Sequence, residues 1–232
     1  MYTLGIDLHK KSSVWVLIDD KYTELWKESV VCHPKYISIA LKKIPVPPNE
    51  VKVAIEPVAG WRWVTKQLEE EGFKVHIAHP RKIQLIAQSK KKNDTEDART
   101  LAKLLNSGYF PEAHRSPDSI YDLRLLLRER TYLIKLRTSA KSQLHGIATT
   151  QGLHLIKGMN PLHKKGKEGI MWSQNFVLKE LHQLIEDLDK RIIPFDQELS
   201  KEVKKYPIAD ILTTVPGLGI LTALTIIAEV DD

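Results

Sequence analysis

Residues 2–18 read YTLGIDLHKKSSVWVLI: an apolar run, a short polar break at His9, Lys10 and Lys11, then a second run rich in β-branched and aromatic side chains. Each run has the length and composition of a strand, Tyr2–Asp7 and Ser12–Ile18. Strands this close in sequence pair antiparallel, because a parallel return needs a crossover of a dozen or more residues. A third strand over Glu24–Val31 extends the meander. Helical spacing then appears at Ile37, Ala40, Leu41 and Ile44, within a helix expected over His33–Ile44 and stopped by IPVPP. Val51–Glu56 reads as a fourth strand, Trp61–Glu71 as a helix closed by Gly72, Lys74–Ala78 as a fifth strand, and Pro80 as the start of another helix. The order βββαβαβα predicts an α/β fold, a mixed sheet covered by helices.

At 232 residues and 26.5 kDa the chain has room for one sizeable core and a smaller module. With 42% hydrophobic and 28% charged residues its composition is that of a globular protein, which excludes disordered and fibrous classes. No basic segment precedes an apolar one at the start, and the apolar stretch near 220–230 is too short to span a bilayer, so we expect a cytoplasmic protein without membrane partners. Cys32 is the single cysteine, which excludes an internal disulfide and a thiolate zinc site. The net charge of +6 is uneven: Lys and Arg outnumber Asp and Glu by 18 to 13 over residues 1–110 and by 11 to 5 over 111–170, then are outnumbered 6 to 11.

Beyond Pro117 the period changes. A long helix is expected from Asp118 to about Gln151, with Leu126, Leu133, Ala140 and Ile147 seven apart and Leu136 between them. After a polar loop, Leu181, Ile185, Leu188, Ile192, Phe195 and Leu199 form a second seam, with a bend expected at Pro194. The two helices should pack as an antiparallel hairpin or against a second subunit. Basic stripes flank the first seam: Arg124, Arg128 and Lys135 on one side, Arg130, Arg137 and Lys141 on the other. They read either as the solvated flanks of a coiled coil or as a surface for nucleic acid.

Acids mark strand ends and one helix start. Asp7 closes the first strand, Glu56 the fourth, and KKNDTEDARTLAKLL (91–105) opens a helix at Asn93. Helix starts favour acids, and Asn93 with Glu96 fits a capping box. Asp94 and Asp97 share a helix face, however, and repel unless a cation lies between them. Brought together with Asp7 and Glu56 they would make a four-acid pocket suited to Mg²⁺ or Mn²⁺ and to phosphoryl transfer. Lys90, Lys91, Lys92 and Arg99 lie close enough in sequence to hold phosphates. Trp15, Trp61 and Trp63 read as core or interface residues, and His9 and Lys10 as a strand's polar exit or as groups approaching a phosphate.

GIDLHKKSSVWVLID, AIEPVAGWRWVTKQLEEEGFKVHIAHP, KKNDTEDARTLAKLL and VPGLGILTALTIIAEV resemble, in order and spacing, the DEDD transposases of bacterial insertion sequences, the "IS-one-ten" family that includes the Piv invertases. The resemblance runs along essentially the whole chain. It implies an RNase H-like (RuvC-like) domain over residues 1–112 with Asp7, Glu56, Asp94 and Asp97 as catalytic, metal-holding tetrad. It also implies a coiled-coil arm over 118–206 used for assembly as dimers or tetramers and for nucleic-acid contact, and the start of a C-terminal domain over 207–232. The implied activity is DNA strand cleavage and transfer for a mobile element of a bacterium or archaeon, guided by an element-encoded structured RNA.

At its end the sequence departs from that pattern. Family members continue into a part bearing a nucleophilic serine, and no serine here matches it; Ser107, Ser116 and Ser119 are near the acidic block only in sequence. The chain is therefore expected to be incomplete on its own. PGLG (216–219) resembles a helix-hairpin-helix turn in which the Gly217 and Gly219 backbone binds phosphate, and equally an ordinary tight turn. Two alternatives stand beside the transposase: a non-catalytic nucleic-acid-binding and oligomerisation module, and a stand-alone RNase H-type junction nuclease.

Overall fold

The computed structural model describes residues 1–86, 93–152 and 175–230. The chain forms two compact units, Met1–Arg115 and Ser116–Asp232. No helix among the described residues is long and apolar enough to cross a membrane.

The first unit is a five-stranded sheet in the order β3-β2-β1-β4-β5. Strands β1 (Tyr2–Leu8), β2 (Ser12–Ile18) and β3 (Glu24–Val31) form the antiparallel meander expected from the sequence, and β4 (Val51–Ile55) and β5 (Lys74–Ile77) join parallel to β1. Helices α1 (Pro34–Leu41), α2 (Trp61–Glu70) and α3 (Pro80–Ile86) fill the connections, and α4 (Asp94–Asn106) follows. A three-strand meander flanked by two parallel βα strands, central strand first in sequence, is the RNase H-like topology.

Both faces of the sheet are buried at its centre, so β1, β2 and β4 alternate between two cores rather than between core and water, while the edge strand β3 is largely exposed. Leu4, Ile6 and Leu8 of β1, Trp15 and Leu17 of β2, and Val51, Val53 and Ile55 of β4 pack with Ile37, Leu41, Val64 and Leu68 of α1 and α2. The opposite parity, Val16 and Ile18, meets Ala98 and Ala102 of α4, while Ala54 packs with Leu101. Trp15 is fully buried; its indole N–H donates to Ser13 Oγ at 2.8 Å, and that hydroxyl donates to the Val30 carbonyl at 3.3 Å. Without that relay the indole nitrogen would carry a desolvation cost of about 1–3 kcal/mol.

The second unit contains α5 (Asp118–Thr150), α6 (Phe176–Glu202), α7 (Ile208–Thr213) and α8 (Ile220–Val230). Helices α5 and α6 run antiparallel: Arg130 pairs with Asp196 and Arg137 with Asp189, so seven residues forward on α5 meet seven residues back on α6. The expected α6 seam is buried at Ile185, Leu188, Ile192 and Leu199, with Leu178 added, and the helix runs through Pro194. On α5 the expected heptad holds in part, with Ala140 buried and Leu126 and Ile147 packed against buried clusters, but the most buried line is shifted. Leu123, Leu127, Ala140, Leu144 and Ala148 are buried, whereas Leu136 is 40% exposed. Leu224 and Ala228 of α8 draw Leu123 and Leu127 inward, a constraint that spacing within α5 does not contain.

Candidate metal centre

Strand parity builds the site. In the parallel pair β1–β4 the last register partners are Ile6 and Ile55; the next residues, Asp7, still paired with Val14 of β2, and Glu56, just past the end of β4, stand side by side on strands about 4.8 Å apart. Gly5 and Ala54, two residues earlier, place both acids on the face that α4 covers. Gly5 has no Cβ to hold α4 away, and the helix lies against β1 backbone to backbone. Along this face α4 runs opposite to β1: Asn106 meets Thr3, Ala98 meets Gly5, and the first turn arrives at Asp7.

That first turn carries Asp94, Glu96 and Asp97. Asn93 caps it as expected, its side-chain oxygen accepting from the Thr95 N–H at 3.1 Å. Glu96, expected to close a capping box, turns instead to the Arg99 guanidinium.

Asp7, His9, Glu56 and Asp97 line one cleft of about 430 Å³, with Ile83 and Gln84 of α3 along its wall. Asp94 joins the group through His9, whose Nε2 stands 3.1 Å from Asp7 Oδ2 and 3.4 Å from Asp94 Oδ2. Asp7 is only 7% exposed, and its Oδ2 is buried without a hydrogen-bond partner. Burial pushes its carboxyl up to about 6, opposed by His9 and reinforced by repulsion from Asp94, Asp97 and Glu56. A buried, unpartnered carboxylate oxygen facing a cleft of further acids is unstable until a cation or proton arrives. The donors suit a small divalent cation: Asp7, His9 and Asp94 each offer one ligand atom, all within 4.8 Å of one another.

The arginines among the basic residues expected to contact phosphates have partners within the chain. Arg99 donates through Nε and Nη2 to Glu24 Oε2 at 3.1 and 2.5 Å, tying α4 to the edge strand β3. Arg124 donates to the Ala228 carbonyl and to Ser116 Oγ, which makes Ser116 a buried hydrogen-bonding residue, and Arg128 meets Glu229. Arg137 is paired across the hairpin with Asp189. Lys135 and Lys141 make no ion pair among the described residues, and Lys90, Lys91 and Lys92 lie outside them. Gly217 adopts φ +90° in the turn between α7 and α8, and Gly219 precedes α8; both are exposed.

Of the tryptophans, Trp15 belongs to the core and Trp61 packs against it, while Trp63 is 37% exposed and borders a second hollow with His9 and Lys10. His9, read from the sequence as a strand's polar exit or a group approaching a phosphate, stands instead between two of the carboxylates. Its signal is its position two residues after Asp7, where strand alternation returns a side chain to the same face.

The family model for DEDD transposases of the IS110 type, described as Transposase, matches residues 4–150. The chain is 24% identical over 168 residues to the transposase for insertion sequence element IS1111A of Coxiella burnetii, covering 69% of this chain and 46% of that protein. It is 25% identical over 186 residues to the transposase for insertion sequence element IS1328 of Yersinia enterocolitica, covering 78% and 55%. The chain thus spans about half the length of these relatives. Among solved structures, T. thermophilus RuvC in complex with Holliday junction substrate is similar at 14% identity and a TM-score of 0.34, over 49% of this chain and 99% of that one.

Proposed function

The chain belongs to the IS110-type DEDD transposase family, and we propose that its first unit is the metal-dependent nuclease part of a recombinase that cleaves and transfers DNA strands for a mobile element. One observation carries this reading: Asp7, whose buried Oδ2 accepts no hydrogen bond, lines a cleft shared with Glu56 and Asp97, with Asp94 one imidazole away.

In this reading Asp7, Glu56, Asp94 and Asp97 hold one or two Mg²⁺ or Mn²⁺ ions. When bound, such ions supply positive charge to a phosphoryl transition state and acidify the attacking hydroxyl or water. The chain's own residues set the geometry. Asp7 is held by β1 and Glu56 by the end of β4, while α4 delivers Asp94 and Asp97 with its N-terminal dipole directed at the same point. Ile83 and Leu101 give the cleft an apolar wall, which limits competing water. In the second unit, Lys135 and Lys141 provide charge for DNA and for a structured guide RNA, and α5 and α6 form the arm through which copies assemble.

The test is a titration with Mn²⁺ and Mg²⁺ followed by thermal unfolding. Saturation at a hundred times Kd should stabilise the protein by about 2.7 kcal/mol. Asp7→Asn and Asp94→Asn should each abolish that gain. Stabilisation unchanged in both variants would overturn the reading.

A further inference from the structure

Resting on that reading of the carboxylate cleft, we propose that His9 is itself a metal ligand, contributing Nε2 beside Asp7 Oδ2 and Asp94 Oδ2, and that this nitrogen makes the centre prefer Mn²⁺ over Mg²⁺.

The distances have the proportions of one coordination sphere. Two adjacent ligands of an octahedral ion with bonds of about 2.1 Å lie about 3.0 Å apart. His9 Nε2 is 3.1 Å from Asp7 Oδ2 and 3.4 Å from Asp94 Oδ2, and the three atoms lie within 4.8 Å of one another. Both His9 separations are close to that spacing, so one cation beside Nε2 is within reach of either carboxylate.

A competing account makes His9 a charged clamp, its ring N–H donating to the two carboxylates. Directionality argues against it. An N–H aimed at Asp7 Oδ2 would satisfy that oxygen, yet the oxygen is buried and has no hydrogen-bond partner although Nε2 is 3.1 Å away. The pair has the separation of a hydrogen bond without its alignment. Two donor atoms that approach without bonding one another are arranged as ligands around a shared third body.

A nitrogen donor changes which ion is favoured. Carboxylate and water ligands suit Mg²⁺ and Mn²⁺ alike, but Mn²⁺, a first-row transition ion, accepts an imidazole more readily than the hard Mg²⁺ does. Asp7 and Asp94 with His9 therefore form a mixed oxygen and nitrogen set, distinct from the all-carboxylate tetrad. Glu56 and Asp97, on the cleft side of Asp7, remain as oxygen ligands for a second ion.

The test uses the whole chain and Mn²⁺ as probe. Electron spin echo measurements on the Mn²⁺-loaded protein should show nitrogen-14 coupling from one imidazole, and His9→Ala should remove it. His9 is 44% exposed at its side chain, so the variant should keep its fold. Removing a group that merely supports a ligand lowers metal affinity 10–100-fold, so calorimetry should show Mn²⁺ affinity falling at least about tenfold in His9→Ala. Mg²⁺ affinity should change much less. Mn²⁺ bound without nitrogen coupling would overturn the His9 assignment and leave the carboxylate site standing. Coupling that survives His9→Ala would also overturn it, and absence of any Mn²⁺ binding would overturn both readings.

Discussion

Gly5 of β1 lies so close beneath Ala98 of α4 that a β-carbon on it would come within 1.9 Å of the Ala98 carbonyl oxygen. Ordinary contact is 3.4–4 Å, so Gly5→Ala forces α4 to retreat by about 1.5 Å. Because α4 carries Asp94 and Asp97, the retreat opens the site as well as the core. We expect Gly5→Ala to lose about 1–3 kcal/mol, the usual cost of overpacking, and most of the Mn²⁺-induced stabilisation. Gly146, inside α5 with nothing within 4 Å of its added Cβ, supplies the contrast. Gly146→Ala should gain about 0.5–1 kcal/mol, because alanine restricts the unfolded chain. Urea unfolding with and without Mn²⁺ measures both, and a Gly5→Ala protein with unimpaired metal response would disconnect the helix position from the site.

Asp7 gives a pH dependence with a defined sign. Its folded-state value of about 6 lies above the ordinary 3.8, so the folded chain holds this proton more tightly than the unfolded chain does. The contribution is therefore complete below about 4 and is lost as pH rises through 6. The displacement corresponds to about 3 kcal/mol. In EDTA, the native chain should become less stable between pH 4 and 6.5, while Asp7→Asn flattens that slope and is the more stable protein at pH 7.5. With saturating Mn²⁺ the order reverses, since only the native carboxylate has a cation to meet. Denaturant midpoints at pH 4, 5, 6 and 7.5 decide it, and an Asp7→Asn protein less stable in EDTA at pH 7.5 would contradict the burial argument.

The antiparallel register of α5 and α6 divides the basic side chains into two groups. Arg137 is committed to Asp189 at 2.6 Å, whereas Lys135 and Lys141 make no ion pair among the described residues. If DNA or RNA lies on this arm, removing one lysine that touches a phosphate should lower the slope of log affinity against log salt by about 0.9 for duplex DNA. The double variant Lys135→Gln, Lys141→Gln should then reduce the slope by about 1.8 without changing the melting temperature. Arg137→Gln should do the opposite, costing up to about 1 kcal/mol of stability at an unchanged slope. Filter binding across a salt series and thermal melts read the two effects separately, and a slope that stays put in the double variant would remove nucleic acid from this face.

How far the sequence reveals this depends on whether the information is local. Strand and helix order is legible because β-branched runs, Pro48, Pro57, Gly72 and Pro80 punctuate the chain at short range. Asp7 and Glu56 stand out as acids at strand ends, and their common face follows once β1 and β4 are known to be parallel. Side-chain commitments are not legible. Glu96 fits a capping box equally well until Arg99 claims it, and Arg99 reads as a phosphate grip until Glu24, 75 residues away, is seen beside it. Helix α5 carries apolar residues on more than one side, and only the partners α6 and α8 decide that Leu123 and Leu127, rather than Leu136, turn inward.

The ion pairs of Arg99 point to a role other than the expected phosphate contact, and the two can be separated by experiment. Its guanidinium spans from α4 to Glu24 of β3 and to Glu96 within its own helix, and those hydrogen bonds hold it protonated above its ordinary range. The position is one and a half turns into α4, so the link to Glu24 sets the rotation of the helix about its axis and with it the direction of Asp94 and Asp97. Arg99→Lys keeps the charge but not the two-nitrogen grip on Glu24. A phosphate-binding role would tolerate that exchange, and a helix anchor would not. We expect Arg99→Lys to lose about 0.5–1 kcal/mol and to weaken Mn²⁺ binding while leaving the salt slope for nucleic acid unchanged. Glu24→Gln should reproduce the loss of stability and metal affinity, since it breaks the same ion pair from the other side. A reduced salt slope in Arg99→Lys with native metal binding would return Arg99 to the phosphates.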